Sequence, residues 1–538
     1  MCSASIIYKF LKKFYPNIET VYSLHTAKQH GLSKDIKIDD DTTLVIIPDA
    51  GSNNLKQCKL LQHKFKNVIC LDHHIIEEPN IYAYIVSCMD GYYPNKNLCG
   101  AAVTWLFLYG FCYNTAFFDE RQSFLLQMLD LVAVATISDI MQVTNEDNMY
   151  FIQNGLANIN SQVLKTFLLE NEVSLDNVTI EHIKFKVSPL ISAMIRMGTL
   201  EEKTLLFRAF VDDYEVFDYE KRGSFEIENE DIYKRAYRLC KNAKSRQDRA
   251  KKKLFEECQA YEYSNILLVE YKADKPSSLT GLVANELANE YCKPCIVYRA
   301  DNLETSNTDG YIKYAGSIRN YDGSPIYSFK NILEFAFGDK CSVQGHDNSA
   351  GIIFNDISPE EFAQKFDSTL FSSGWEAEND FPDVAIGEKL YNVDFAIDAE
   401  NLDVGFIKIM SEFDHYSGYG FPSVTALVNG IKVSQENFKT MGKNTLNWKI
   451  LDEDTDVTYV KFKIDRSSDE LIQKFDDIDF GFTSYNDTYY TVNAICTFGL
   501  NVYNGEVYAQ AVIKDYEIVS EQKKEIDFED DDDFDFEL

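Results

Sequence analysis

Positive charge is scarce in this 538-residue chain: 52 Lys and Arg stand against 86 Asp and Glu, a net charge of −34 at pH 7. Such a molecule repels phosphate backbones at long range, so a nucleic-acid site has to be a local basic patch or a metal centre. Cysteine is sparse as well. Its 12 residues are scattered without the spacing of a disulfide framework or the paired Cys-x-x-Cys motifs of a zinc site, and a reducing cytoplasm is the default location. Only 25 Gly and 11 Pro accompany 45% hydrophobic and 14% aromatic residues, which excludes a fibrous or largely disordered chain. The start of the sequence lacks the charged, apolar and small-residue segments of a secretory signal,. Long apolar runs are missing except for Ala101 to Phe118, and there Thr104, Gly110, Asn114 and Thr115 interrupt it. It reads as a helix buried against a sheet, so no membrane association is expected.

What is present is a sequence of changing patterns. Residues 1–200 alternate short apolar β-type runs (Thr43 to Pro48, Asn67 to Asp72, Tyr82 to Cys88) with helical stretches at Ser5 to Lys12, Gly100 to Tyr113 and Arg121 to Thr136. That alternation predicts a doubly wound α/β domain with a parallel sheet. Residues 201–255 are richer in charge and contain a basic helical run, Tyr233 to Leu254, read as a connector. A smaller α/β domain is expected over 256–375, with strands at Ile266 to Val269, Cys295 to Tyr298 and Gly310 to Ser317 around a helix from Leu279 to Tyr291. Over 380–519, alternation at Val457 to Ile464, Tyr489 to Cys496 and Val507 to Ile513 predicts an antiparallel β-barrel or sandwich,. Residues 520–538 form an acidic tail carrying Phe528, Phe534, Phe536 and Leu538, too charged to pack.

The chemistry-bearing residues gather at strand ends. Asn67 to Asp72 closes on Asp72-His73-His74, which places a carboxylate and two imidazoles at the carboxyl end of a parallel strand, where open α/β sheets bind ligands. The preceding strand ends in Asp49-Ala50-Gly51-Ser52, and Asp139 follows an apolar helix. Mixed Asp and His ligands suit Mn²⁺ or Mg²⁺ and hydrolytic chemistry. Taken alone, an Asp-His-His is equally at home in a surface turn.

The order of motifs decides between these. Asp49-Ala50-Gly51-Ser52, Asp72-His73-His74 and Ser138-Asp139 resemble the second, third and fourth motifs of the DHH phosphoesterase family. Val187-Ser188-Pro189-Leu190-Ile191-Ser192-Ala193 with Arg196 is similar to a Pro-x-x-Asn-Ala-x-x-Arg segment of its RecJ-type single-strand-specific 5′ exonuclease branch, Ser192 replacing Asn. Thr280-Gly281-Leu282-Val283-Ala284 with Lys293-Pro294, Gly316-Ser317-Ile318-Arg319, and Gln344-Gly345-His346-Asp347-Asn348-Ser349-Ala350-Gly351 resemble the family's DHHA1 domain, Gln344 replacing a Gly. Gly418-Tyr-Gly-Phe-Pro422 is a weaker match to its OB-like domain. The family's first motif, a strand ending in Asp-x-Asp-x-Asp-Gly, would fall just before Met1; the expectation is a start that is lost or separately encoded.

The resemblance implies a 5′-to-3′ exonuclease on single-stranded DNA in replication, repair or recombination. It implies Asp49, His73 and Asp139 as ligands of Mn²⁺ or Mg²⁺, Asp72 as the group orienting an imidazole, and His74 as a contact to the scissile phosphate. Arg196, Ser317, Arg319, Gly345 and His346 would hold the strand. A replication or single-strand-binding protein is the expected partner of the acidic tail. Two other readings compete: a phosphatase or nanoRNase acting on short or cyclic oligonucleotides, against which the basic connector and extra barrel argue, and a catalytically defective DNA-binding scaffold. The basic run from Lys234 to Lys253 reads either as a solvated helix face or as a stripe guiding a single strand.

Overall fold

The computed structural model describes residues 1–523 except 27–30, 33–37, 65–66, 90, 114, 221–226, 273–276, 301–312, 356, 373–385, 415, 443–445, 465, 477–487 and 504–505. Residues 524–538 of the expected acidic tail and the first part of the expected strand from Gly310 therefore lie outside the described residues, whereas residues 520–523 end the last strand. Two compact units emerge, Met1–Leu390 and Tyr391–Leu538.

The first unit starts with helix α1 (Cys2–Phe14), then strand β1 (Leu44–Pro48), α2 (Leu55–Lys64), β2 (Asn67–Asp72) and β3 (Tyr84–Ser87). The three strands pair in parallel in the order β1-β2-β3, with Ile46 opposite Ile69 and Ile69 opposite Tyr84. Helix α2 covers one face through Cys58 and Leu61, which pack with Ile47, Val68 and Cys70. The other side belongs to a large helical core. Helix α3 (Gly100–Tyr113) is apolar all round and buries Ala101, Ala102, Val103, Trp105, Leu108 and Cys112 there, against Ile6, Ile7 and Phe10 of α1, as an all-apolar helix must.

The single helix expected from Arg121 to Thr136 is instead two, α4 (Phe118–Leu126) and α5 (Leu129–Ser138). Tertiary contacts break it. The Trp105 indole N–H donates to the Leu125 carbonyl at 2.8 Å, and the buried Asp130 carboxylate accepts from the Leu131, Asn160 and Ser161 amides, diverting groups a continuous helix would use,. Helices α6 (Glu146–Ala157) and α7 (Gln162–Leu169) follow, then one continuous rod: α8 (Ile180–His182), a π-turn (Ile183–Val187) and α9 (Ser188–Met197). No helix among the described residues is long and apolar enough to cross a membrane.

Helix α10 (Leu200–Phe210) and a hairpin of β4 (Val216–Glu220) and β5 (Ile227–Asp231) lead to α11 (Ile232–Glu257), the basic run. Its first half buries Ile232, Ala236, Tyr237, Cys240 and Ala243 in the helical core, and Leu254 near its end packs with the next layer. Much of its charge is paired within the fold. Arg238 pairs with Glu230, Lys244 with Asp248, Arg246 with Glu202, Lys251 with Glu286, Lys252 with Glu256 and Lys253 with Glu257, while Arg235 lies over the Phe217 ring. Glu202, Glu230 and Glu286 come from other elements, while Asp248, Glu256 and Glu257 belong to α11 itself.

Strands β6 (Gln259–Glu262), β7 (Leu267–Glu270), β8 (Cys295–Ala300), β9 (Lys313–Arg319), β10 (Cys341–His346) and β11 (Ser349–Asn355) form a six-stranded sheet in the order β10-β11-β9-β8-β7-β6. Helices α13 (Phe329–Phe337) and α14 (Pro359–Leu370) cover one face through Phe329, Ile332, Phe337, Phe362 and Phe366. Helix α12 (Thr280–Tyr291) covers β7 and β8 on the other, with Val283, Ala284 and Leu287 against Leu267, Val269, Cys295 and Val297.

The second unit is a seven-stranded sheet in the order β12 (Phe395–Asp398), β13 (Thr425–Val433), β17 (Thr488–Tyr503), β18 (Glu506–Lys523), β16 (Val457–Ile464), β15 (Leu446–Asp452), β14 (Phe438–Met441). Its pairings are antiparallel except β12 with β13 and β16 with β18. Helices α15 (Val404–Phe413) and α16 (Glu470–Asp476) add Ile407, Leu471 and Ile472 to its core around Trp448 and Tyr459. The Asp469 carboxylate, 5% exposed as a residue, accepts from the Trp448 indole, the Tyr516 hydroxyl, the Lys461 ammonium and the Ile472 amide.

Candidate metal centre

The parallel pairing of β1 and β2 brings their carboxyl ends side by side. Pro48 lies opposite Leu71, and the Asp49 amide donates to the Leu71 carbonyl at 2.7 Å. Asp49 itself has φ of +67°, a left-handed conformation uncommon for a non-glycine residue and a mark of a constrained site,. On the far side, Asp139 closes α5 and is followed by Ile140 at φ of +54°, strained for a β-branched residue,. The result is a cluster: one ligand atom each from Asp49, His73 and Asp139 lies within 4.8 Å of the others.

Its electrostatics are those of a site short of positive charge. Burial raises the Asp139 pKa, and the nearby Asp49 charge raises it further, only partly offset by His73, the N-terminal ammonium and His74,. Burial alone would lower the His73 pKa, yet the bond from its Nε2 to Asp49, 3.3 Å long, and the charges of Asp49, Asp139 and Asp72 leave it raised. A cation placed among the three ligand atoms would relieve this excess of negative charge.

Asp72 sits behind, 2% exposed, and all its partners are donors. One oxygen accepts from the Ser52 amide at 2.9 Å; the other accepts from the His73 amide at 2.8 Å, the His74 amide at 3.2 Å and the His74 Nδ1 at 2.7 Å. Burial pushes its pKa up, but these bonds and the His74 charge win and hold it well below the ordinary carboxylate range. The imidazole that Asp72 orients is thus His74. The His73 and His74 rings are 4.5 Å apart.

A cavity of about 180 Å³ opens beside the cluster, lined by Asp49, Ser138, Asp139, Ser188, Ser192 and Arg196, with Met1, Cys2 and Ser3 on another wall. The Ser138 and Ser188 hydroxyls lie 2.6 Å apart and tie α5 to α9. Arg196 and Arg319 have no carboxylate within ion-pair distance among the described residues. Burial lowers the pKa of both, and Arg319 is further lowered by the charge of Arg196. Two partly buried guanidiniums without a carboxylate partner would suit an anionic group.

The sheet register supplies the rest. Arg319 is opposite Ser349, and Ser349 is opposite His346, so these three share a row across β9, β11 and β10; Ser317, Gly351 and Gln344 form the next row on the same face,. This is the face on which α12 packs against β8 and β9. Ser317 shares a hydrogen bond with Thr280, and a Cβ on Gly281 would come within 2.6 Å of the Arg319 guanidinium, so that glycine makes room for it. Gly345 differs: at φ of +140°, it lies in the row of Ala350 and Ile318 on the buried side, shaping the strand rather than sharing the row of His346.

Sequence reasoning missed Gly100. A Cβ there would lie 2.0 Å from Asp49 Oδ1, so the start of α3 presses directly on the carboxylate. Its only sequence signal is a glycine at the first residue of an apolar helix. The single Cys-x-x-Cys spacing, Cys292 to Cys295, is the turn from α12 into β8; Cys295 is buried and no third metal-ligating residue joins the pair among the described residues.

Comparison with known proteins follows the same lines. Residues 1–136 match the DHH family N-terminal domain, and residues 393–515 match the RecJ OB domain. YorK of Bacillus subtilis (strain 168), named as an SPbeta prophage-derived single-strand DNA-specific exonuclease, is 32% identical over 544 residues, covering 98% of this chain and 87% of its own. The single-stranded-DNA-specific exonuclease RecJ of Haemophilus influenzae is 24% identical over 366 residues, 63% of this chain and 59% of its own. The crystal structure of RecJ in complex with Mn²⁺ from Thermus thermophilus shares the fold, with a TM-score of 0.58 and 17% identity over 88% of this chain; the match spans 62% of that structure. The Mg²⁺ complex from the same organism gives a TM-score of 0.54 at 15% identity, over 88% of this chain and 67% of that one.

Proposed function

This chain belongs to the RecJ-like branch of the DHH family, and on that premise we propose that it is a Mn²⁺- or Mg²⁺-dependent exonuclease degrading single-stranded DNA from the 5′ end. The observation that carries the reading is the convergence of three metal-ligating atoms within 4.8 Å beside a cavity lined by Arg196, an arginine with no acidic partner among the described residues. Asp49, His73 and Asp139 would hold the ion. When bound, such an ion supplies charge neutralisation at the phosphate and a water of lowered pKa. Asp72 holds His74 through Nδ1, fixing the ring so that it can meet the scissile phosphate,. Arg196, from the same residues 1–200 that carry the ligands, and Arg319, Ser317 and His346, from residues 256–375, grip the strand. The protein works in the cytoplasm in DNA replication, repair or recombination, and the acidic residues 525–538 dock a replication or single-strand-binding protein.

The test is digestion of single strands labelled at either end. Asp49→Ala, His73→Ala and Asp139→Ala should each abolish Mn²⁺-dependent release of nucleotides with an unchanged circular dichroism spectrum. Undiminished digestion by His73→Ala would overturn the metal assignment, and release from the 3′ end first would overturn the polarity.

A further inference from the structure

The rod running from α8 to α9 holds a feature that neither the metal cluster nor the arginine pair uses. Its centre is a π-turn, a rare geometry that shifts the phase of side chains and recurs at functional sites,. There Phe185 stands 62% exposed between two exposed lysines, Lys184 and Lys186. The Lys184 ammonium lies 5.1 Å from the Phe185 ring centroid, and Lys186 is steadied by the Asn171 carbonyl at 3.2 Å. An aromatic ring left in water is ordinary when isolated; this one is flanked by two cations and lies on the rod that lines the cavity. Ser188, Ser192 and Arg196 line the cavity at helical spacing, and the π-turn that carries Lys184 and Phe185 directly precedes Ser188 on the same continuous rod. At 1.5 Å per residue the ring stands roughly 16 Å along the axis from Arg196.

We infer that Phe185 is a stacking platform for one nucleobase of the bound single strand, with Lys184 and Lys186 meeting its flanking phosphates. The inference rests on the single-strand reading above and deepens it. An aromatic ring takes any base on its face, and cations beside it suit the backbone, which is the pattern of sequence-tolerant single-strand binding. The strand would then run along the rod from the arginine pair, past the Ser138–Ser188 contact next to Asp139, to Phe185. In a chain of net charge −34, local cations and base stacking are what can retain a strand there.

The experiment is binding of a fluorescent single-stranded oligonucleotide by anisotropy, in EDTA so that no hydrolysis intervenes, with an abasic site moved one position at a time along the strand. Phe185→Ala should weaken binding about tenfold, and Phe185→Trp should restore it. One abasic position should weaken the unsubstituted protein by a similar factor and leave Phe185→Ala unaffected; this coupling would not arise from a general loss of structure. Equal affinity of Phe185→Ala and the unsubstituted protein, or the absence of any such position, overturns the inference. If the unsubstituted protein digests single strands normally in that case, the functional reading stands; if it neither binds nor digests them, both fall.

Discussion

Gly100→Ala separates the stability of this fold from its chemistry. The added Cβ would sit 2.0 Å from Asp49 Oδ1 and 2.5 Å from its Cγ, whereas real contacts of this kind lie beyond 3.0 Å, so something must move by about 1 Å. Helix α3 cannot move readily, because Ala101, Ala102, Val103, Trp105 and Leu108 are all buried in the largest core,. The Asp49 carboxylate is the softer partner, 40% exposed at its side chain, and it yields. Overpacking costs about 1–3 kcal/mol, and replacing glycine in a helix returns up to about 1 kcal/mol. Net stability should therefore fall by no more than about 3 kcal/mol. The ligand cluster fares worse, since a displacement of that size breaks the 3.3 Å contact to His73 and costs on the order of 100-fold in a positioned site,. Gly110→Ala, on the same helix with nothing within 4 Å of its Cβ, is the control and should change neither Mn²⁺ affinity nor activity. Calorimetric titration with Mn²⁺ and urea unfolding of the metal-free proteins measure the two effects. Unchanged Mn²⁺ affinity in Gly100→Ala would refute the reasoning that this glycine sets the position of Asp49.

Three further outcomes follow from the geometry. Asp72→Asn should cost about 1–3 kcal/mol at pH 7 by unsettling four hydrogen bonds,. Because the folded pKa of Asp72 is depressed, its stabilisation is fully present above the unfolded value of about 4 and is lost as pH falls through the folded one; the gap to Asp72→Asn, followed by urea unfolding, should shrink below about pH 4,. Arg319→Ala should weaken capture of a single strand about tenfold while leaving Mn²⁺ titration unchanged, and loss of metal with normal strand affinity would reverse its role,. Asp469→Ala should destabilise the second unit by about 3–5 kcal/mol, since it strands the buried Trp448 indole N–H and unpairs Lys461; a shift in unfolding free energy below about 1 kcal/mol would show that water replaces the carboxylate,.

How much of this was legible in the sequence depends on the distance over which each feature is decided. Asp49 and Asp72-His73-His74 could be read because a run of apolar residues ending in a polar cluster is a local pattern, and parallel strands put such ends together. Three of the six strands in the larger sheet, β7, β8 and β9, were equally legible from their apolar runs, whereas β6, β10 and β11 were not, and Arg319 and His346 were singled out chiefly by the resemblance of their glycine-rich segments to the family's motifs. The break between α4 and α5 could not be read, since it is made by Trp105 and by the amides of Asn160 and Ser161 reaching in from elsewhere. Nor could the pairing of the basic helix, because Glu202, Glu230 and Glu286 reach its charges from other elements.

By itself, then, the sequence determined which residues can carry chemistry and which elements hold them, because those choices follow from side-chain type and from the periods of helix and strand. Only the tertiary structure decided what those residues face. It brought Asp139 to Asp49 across a long stretch of chain, let Gly100 press on a carboxylate, aligned Arg319 with His346 through Ser349, and left Phe185 in solvent on the rod that lines the cavity. Each of these is a distance between atoms far apart in the chain, set by packing that no local window contains.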